Sequence, residues 1–331
     1  MRRWTSCPNR RVPNCAPQPE WINPTLATLV HEPFNDPDWL FEPKLDGERC
    51  LIFKRGRHVA LMSRNRKQLS ATYPEIAQAV AEQVEHDGVL DGEIVAFDGP
   101  RTSFARLQQR MQLEQPDTTG STRVPIYCYL FDLLHLDGCD LTAVPLRDRK
   151  KALSRSASFR DPLRMTPHEN TDGADYYRRA CQAGSEGALA KDATSGYARG
   201  RSRTWLKFKC VANQELVIGG YTEPAGTRPE LGALLVGHYD DGRFVYAGKV
   251  GTGFDESTLR DLRQRLSALE QNRSPFDEDI GEREVHWTNP ALVAEIAFTE
   301  WTQDGKLRHP SFVGLRQDKD PAEVTRERAA P

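Results

Sequence analysis

FEPKLDGERC, residues 41–50, sets Lys44 between two carboxylates, Glu42 and Asp46, with Pro43 just before it and Gly47 soon after. A surface lysine needs no such setting. A lysine that attacks an electrophile does: it needs a fixed backbone, suppressed protonation, and neighbours that handle the charge it creates. Alone, K-x-D-G is weak. It turns up by chance in roughly one chain in twenty-five of this length, and the plain reading is a turn lysine beside Asp46-Gly47.

The weight therefore rests on what accompanies it. Reading outward, charged residues recur at the ends of apolar runs: Arg49, Arg64 in SRNRK, Asp91 and Glu93 in LDGEIV, Asp132 after Phe131, Glu186 in EGALAKD, and Lys207 and Lys209 in WLKFK. Lys207 and Lys209 are two apart on a predicted strand and so share a face. Like charges there destabilise the sheet unless an anion sits between them, and a phosphate is the economical partner. Glu93 and Glu186 supply hard oxygen ligands of the kind Mg²⁺ takes when it bridges phosphates.

In that company Lys44 reads as a nucleophile. A free amine has a pKa of about 10.4, and nearby cations favour its neutral form. It then attacks phosphorus, giving a phosphoramidate. Neither G-x-x-x-x-G-K-[ST] nor G-x-G-x-x-G occurs, so a P-loop or Rossmann enzyme is not supported. Taken singly, Lys207 and Lys209 read as a solvated strand face, Glu93 and Glu186 as strand-end charges, and Phe131 as core. No histidine, His135 and His309 included, has ligand spacing.

The chain has 331 residues and a net charge of −2, enough for two domains. Residues 1–210 hold 31 Lys and Arg against 26 Asp and Glu, and residues 211–331 hold 14 against 21. A modestly basic part before an acidic one suits a polyanion gripped by local patches. The 7 cysteines are scattered without a C-x-x-C pair. They read as free thiols in a reducing cytoplasm, with neither zinc nor a disulfide framework indicated. The basic N-terminus lacks an apolar h-region, and no run reaches membrane-spanning length.

Periodicity predicts strands over RCLIFKRGRHVALMS (a hairpin about Gly56), VLDGEIVAFD, VPIYCYLFDLLHLDG, GALAKD and TWLKFKC. It predicts helices over YPEIAQAVAEQVEHDG, stopping at Gly88, over RTSFARLQQRMQ, and over GADYYRRACQAGSEG, stopping at Gly184. After Cys210 the texture becomes about five strands with Gly/Asp turns and one helix. Asp255 is that helix's N-cap, and Leu259, Leu262, Leu266 and Leu269 form its stripe. The expected fold is α+β: a first domain with mostly antiparallel sheets and flanking helices, then a small barrel of the OB type. Expected boundaries are a mobile extension over 1–20, a first domain over 21–210, a barrel over 211–317 and a charged tail over 318–331.

EPKLDGER, SRNRK, LDGEIVAFD, YLFDLL, EGALAKD, WLKFK and LRHPSFVGLRQDK stand in the order of the motifs of the covalent nucleotidyltransferases. The sequence resembles the ATP-dependent DNA ligases, and among them the small bacterial end-joining type, either a LigD ligase domain or a stand-alone LigC. The resemblance runs from about residue 24 to 319. It implies a nucleotidyltransferase (adenylation) domain followed by an OB domain. It also implies ATP and Mg²⁺ or Mn²⁺ as cofactors, nicked duplex DNA and other end-joining or repair proteins as partners, and a monomer in the cytoplasm at the nucleoid. Lys44 is then the adenylylated nucleophile. Glu42 reads the adenine edge and Phe131 stacks on the base. Glu93 binds ribose or metal and Glu186 binds metal, with Asp46 metal-linked or positioning. Arg49 and Arg64 contact sugar–phosphate and the nick. Arg201, Lys207 and Lys209 hold phosphates, and Arg316 and Lys319 orient the pyrophosphate. Lys191 faces the pocket or lies outside it.

Two enzymes sharing the lysine chemistry, an RNA ligase and a capping guanylyltransferase, are alternatives. A non-catalytic nucleic-acid binder with an OB barrel is a third, but it leaves Lys44, Glu93, Glu186 and Lys207 unexplained.

Overall fold

The computed structural model describes residues 14–111, 124–210, 213–224, 230–282 and 284–327. The chain divides after Cys210 into two units, where the composition changes.

The first unit is built on two sheets. The larger has the long strands Gly88–Asp98 and Ile126–Leu136 at its centre, with Glu48–Arg55 and then His58–Ser63 on one side. Its pairings are antiparallel except for Leu163–Met165, which runs parallel to Ile126–Leu136. The smaller sheet has the order Leu26–Leu29, Arg201–Lys209, Gly187–Asp192, Trp39–Pro43.

Alternation decides which face of each strand is core. On the larger sheet Cys50, Ile52, Leu90, Ile94, Cys128 and Leu130 pack under the helices Pro74–Gln83 and Phe104–Met111. The smaller sheet buries Phe41, Ala188, Ala190, Leu206 and Phe208, closed by Phe34, Tyr176 and Tyr177. The other two faces meet through Leu51, Phe53, Val89, Phe131, Tyr197 and Trp205, with Arg49 and Lys191 over the Phe131 and Trp205 rings.

Several expectations are corrected. The first helix ends at Gln83, not at Gly88, because Val84 turns extended and bridges to Ala157; Gly88 instead opens a central strand. A helix at Leu146–Ser156 was not predicted. Residues 14–20, expected within a mobile extension, are tied down: Asn14–Cys15 pairs with Cys139–Asp140, and His135 Nε2 lies 2.9 Å from the Ala16 carbonyl. Residues 1–13 lie outside the described residues. Cys181 and Cys210, read as free thiols, form a disulfide with Cα atoms 5.3 Å apart. The helix Gly173–Gln182 packs on the smaller sheet and brings its end beside the end of the strand Arg201–Lys209, a proximity that spacing does not reveal.

In the second unit the long strand Asn213–Thr222 pairs with Leu234–Asp240, Val285–Thr288 and Val293–Ala297. Arg243–Val250 and Ser311–Leu315 extend this curled sheet of the OB type. The helix Glu256–Ser267 buries Leu259, Leu262 and Leu266, with Asp255 accepting the Thr258 N–H at 2.7 Å as its N-cap. Residues 318–327, expected in a tail, belong to this unit: Val324 is core, and Gln214 Nε2 donates to the Thr325 carbonyl at 3.0 Å.

Candidate active site

The turn that carries Lys44 is fixed by its own motif. Gly47 sits so close to the strand Gly88–Asp98 that a Cβ would lie 2.3 Å from the Ile94 carbonyl oxygen, so only glycine fits. Asp46 donates its N–H to Thr102 Oγ1 at 3.0 Å and accepts the Phe104 N–H at 2.7 Å, holding the start of the helix Phe104–Met111. Lys44 N–H donates to the Gly187 carbonyl at 3.0 Å. The turn is thus pinned to both sheets, and Lys44 Nζ pairs with the Glu186 carboxylate.

Strand register sets the neighbours. Lys207 stands opposite Leu189 and Leu189 opposite Glu42, while Lys209 stands opposite Gly187. Directly paired residues share a face, so Glu42, Lys191, Trp205, Lys207 and Lys209 all lie on the side away from Phe41 and Phe208. The expected co-facing of Lys207 and Lys209 is what the strand presents. Both are half-buried, whereas Arg201 and Arg203 are exposed; Arg201 donates to the Ala27 carbonyl at 3.0 Å.

Glu42 lies at the bottom of this face, with Lys150 Nζ 2.6 Å from one carboxylate oxygen and Lys191 Nζ 2.6 Å from the other. Burial alone would raise the Glu42 carboxyl; the two ammonium groups outweigh it and hold it below its ordinary value. Burial dominates at Lys191, which falls to about 8 despite the attraction of Glu42. Lys191 Nζ also lies 4.1 Å from the Phe131 ring centroid and 3.9 Å from that of Trp205.

Across the junction, Arg49 makes two contacts of 2.6 Å with Asp91, and Tyr197 Oη donates to Asp91 at 2.6 Å. Burial works against the Arg49 charge, but Asp91 more than restores it and the guanidinium stays protonated. Arg49 stands opposite Glu93 and lies 4.6 Å over the Phe131 ring. Phe131 is 5% exposed and so is core as well as site wall. Asp132 is not at the site: it is wholly buried in a paired contact with Arg149. Arg64 is half-buried just past the strand His58–Ser63.

In the second unit, Arg316 is clamped by Asp318 at 2.9 and 3.0 Å and by Glu295 at 3.1 Å. Lys319 pairs with Glu215 at 2.8 Å. The Arg316 side chain is thus engaged by two carboxylates of its own unit.

Among the described residues no three His, Cys, Asp or Glu side chains are grouped to hold a metal. Glu93 and Glu186 still fit Mg²⁺ chemistry, since that ion needs only one or two carboxylates besides phosphate and water. The Asp46 carboxylate accepts the Phe104 N–H at a helix start.

Sequence reasoning missed Lys150, Tyr197 and Trp205, gave Asp91 no role and left Lys191 open. Lys150 belongs to RDRKK, residues 147–151, a run that reads as solvated. The one available hint was Leu146 and Leu153 at helical spacing around it.

A turn-borne lysine thus faces a carboxylate beside a cationic strand, and a unit of the OB type follows. Residues 24–209 match the model of the ATP dependent DNA ligase domain, and residues 227–319 that of the ATP dependent DNA ligase C terminal region. The multifunctional non-homologous end joining protein LigD of Pseudomonas aeruginosa is 38% identical over 323 residues, 95% of this chain and 38% of the relative. The LigD of Mycobacterium tuberculosis is 38% identical over 295 residues, 87% of this chain and 37% of its own. A solved structure titled mycobacterial DNA ligase D complexed with ATP and MES superimposes with a TM-score of 0.66 at 34% identity, covering 92% of this chain and 98% of that one. The chain belongs to the ATP-dependent DNA ligase family, and it spans under two-fifths of the length of these LigD relatives.

Proposed function

We propose that this protein seals nicks in duplex DNA with ATP, through an AMP joined covalently to Lys44. The observation that carries the reading is the contact of Lys44 Nζ with Glu186, beside the co-facing Lys207 and Lys209.

In the first step Nζ gives up a proton, for which Glu186 is the carboxylate in contact, and attacks the α-phosphorus of ATP. The P–N bond forms as the bond to the β-phosphate oxygen breaks, and pyrophosphate leaves. In the second, an oxygen of the DNA 5′-phosphate attacks the same phosphorus and Lys44 leaves, reprotonated. In the third, the 3′-hydroxyl attacks the 5′-phosphate and AMP departs. Lys207, Lys209 and Arg201 hold phosphate charge, which is most of what a protein contributes to phosphoryl transfer. Mg²⁺ or Mn²⁺ held by Glu93 and Glu186 would supply further charge neutralisation. Glu42 reads the adenine edge: fixed by two lysines as an ionised acceptor, it suits an exocyclic amine. Phe131 walls the base, Arg49 and Arg64 contact sugar–phosphate and the nick, and Arg316 and Lys319 orient pyrophosphate.

End joining in the cytoplasm at the nucleoid, with other repair proteins as partners and the chain itself a monomer, is proposed from the LigD relatives. Among the described residues no helix is long and apolar enough to cross a membrane. The test is label transfer from [α-³²P]ATP to the protein with Mg²⁺, then a chase with nicked duplex. Label should pass to DNA and seal it, and GTP should not substitute. No label on the protein would overturn the reading.

A further inference from the structure

The disulfide Cys181–Cys210 lies one connection away from the nucleophile. Cys181 is in the helix Gly173–Gln182, and Cys210 directly follows Lys209. The Cys210 N–H donates to the Glu186 carbonyl at 3.0 Å, and the Glu186 carboxylate pairs with Lys44. The next residue, Gly187, accepts the Lys44 N–H at 3.0 Å and stands opposite Lys209. From the same helix as Cys181, Tyr177 Oη donates to the Lys209 carbonyl at 3.0 Å. Hydrogen bonds and the ladder between the two strands thus hold the end of the cationic strand and the base of Glu186 in one place, and the disulfide adds a covalent tie to the helix.

The remaining described cysteines are differently placed. Cys50 and Cys128 are buried, and burial pushes both thiols up, which leaves them unreactive. Cys15 and Cys139 pair with each other at the edge of the larger sheet. Cys181 and Cys210 are half-buried, within reach of a small thiol.

We propose that Cys181–Cys210 is a redox-modification site whose state sets the alignment of Glu186 and Lys209 against Lys44. Oxidation joins the two sulfurs as the thiols lose two electrons and two protons to a small disulfide such as oxidised glutathione, which leaves as two thiols. Reduction reverses this: a thiolate attacks one sulfur, a mixed disulfide forms, and a second thiol releases it. The bonded state is the aligned one. On reduction the covalent tie is lost, the strand end and the helix keep only their hydrogen bonds and packing, and Glu186 is held less tightly. This inference rests on the proposed role of Lys44, so its test carries a readout independent of AMP.

The experiment equilibrates the full chain in graded glutathione mixtures, quenches by alkylation, and maps Cys181 and Cys210 by mass spectrometry. Single-turnover AMP loading and hydrogen exchange of peptides covering residues 184–190 are followed in parallel. Both cysteines should become alkylatable together. As they do, loading should slow about tenfold, short of the roughly hundredfold that a 1 Å misplacement costs, and exchange at residues 186–187 should speed up. Cys210→Ser and Cys181→Ser should match the reduced enzyme and ignore the glutathione ratio. Loading and exchange that stay unchanged while the bond opens would overturn the proposal, as would thiols alkylatable in the most oxidising mixture. Loss of loading in both states with the exchange change intact would support the redox site and strike instead at the role of Lys44.

Discussion

Lys44 Nζ rests on the carboxylate of Glu186, so the proposed nucleophile, just past the end of one strand, is paired with the residue just before its neighbour. The pair is half-buried, with side-chain exposures of 19% and 13%, and joins two segments 142 positions apart.

Lys44→Ala should remove AMP loading by at least about a thousandfold, the order seen when a nucleophile is deleted. Stability should change by no more than about 1 kcal/mol, as expected for a partly exposed ion pair. Lys44→Arg should fail equally, because a guanidinium does not deprotonate to attack. Label transfer and thermal melting check both, and a labelled alanine variant would refute the assignment.

Lys150→Met should cost about 1–3 kcal/mol, because one oxygen of the buried Glu42 carboxylate loses its partner while Lys191 keeps the other. Unfolding in urea measures this. Glu42→Gln in the same background should deepen the loss, since it leaves the buried Lys191 ammonium without its carboxylate. Recovery instead would mean that Lys191 does not compensate Glu42.

Lys191 gives a pH signature. Its folded pKa is about 8 against an ordinary 10.5, so the folded state releases its proton first. Between those values the unfolded chain binds more protons, and this residue's contribution to stability rises with pH. Below about 8 its buried charge is present in full and the contribution is at its least favourable. Denaturant midpoints at pH 7.5 and 9.5 should therefore move upward in the native protein relative to Lys191→Met. Parallel curves would refute this.

Arg203→Ala should lower the salt slope of duplex binding by about one and spare AMP loading. Arg199→Ala should do the same to a smaller degree, since Arg199 already lies 3.9 Å from Asp140. Arg201→Ala should slow loading. Affinity measured over a salt series, beside label transfer, separates the three; a salt-independent affinity would contradict the electrostatic account.

Arg316→Ala should destabilise the second unit by about 3 kcal/mol, because Asp318 and Glu295, both buried, lose the guanidinium between them. Burial would raise the Asp318 carboxyl, but Arg316 outweighs it and holds it below 3.8. That stabilisation is present above 3.8 and is lost as pH falls through the lower, folded value. Lys319→Ala, with one partner in Glu215, is the cleaner functional test. It should lose most AMP loading from ATP yet still seal a nick supplied already adenylylated. Equal loss in both assays would place Lys319 in DNA binding or stability.

Sequence by itself determined what depends on neighbours along the chain. The K-x-D-G turn, the co-facing of Lys207 and Lys209, the Asp255 cap, most helices and strands, and the change of texture at Cys210 all follow from local backbone chemistry and from periods of 2 and 3.6. The order of short motifs then pointed to the nucleotidyltransferases. Tertiary structure alone decided what depends on distant segments meeting. Glu42 is held by Lys150 and Lys191, 108 and 149 positions further on, and the solvated look of RDRKK conceals a buried ammonium. Arg49 is set by Asp91 and Tyr197, Asp46 by a helix start, and Cys181 finds Cys210 across a helix–sheet contact. A charge in sequence carries no mark of its partner, because whether it is solvated or buried is fixed only when the two sheets close on each other.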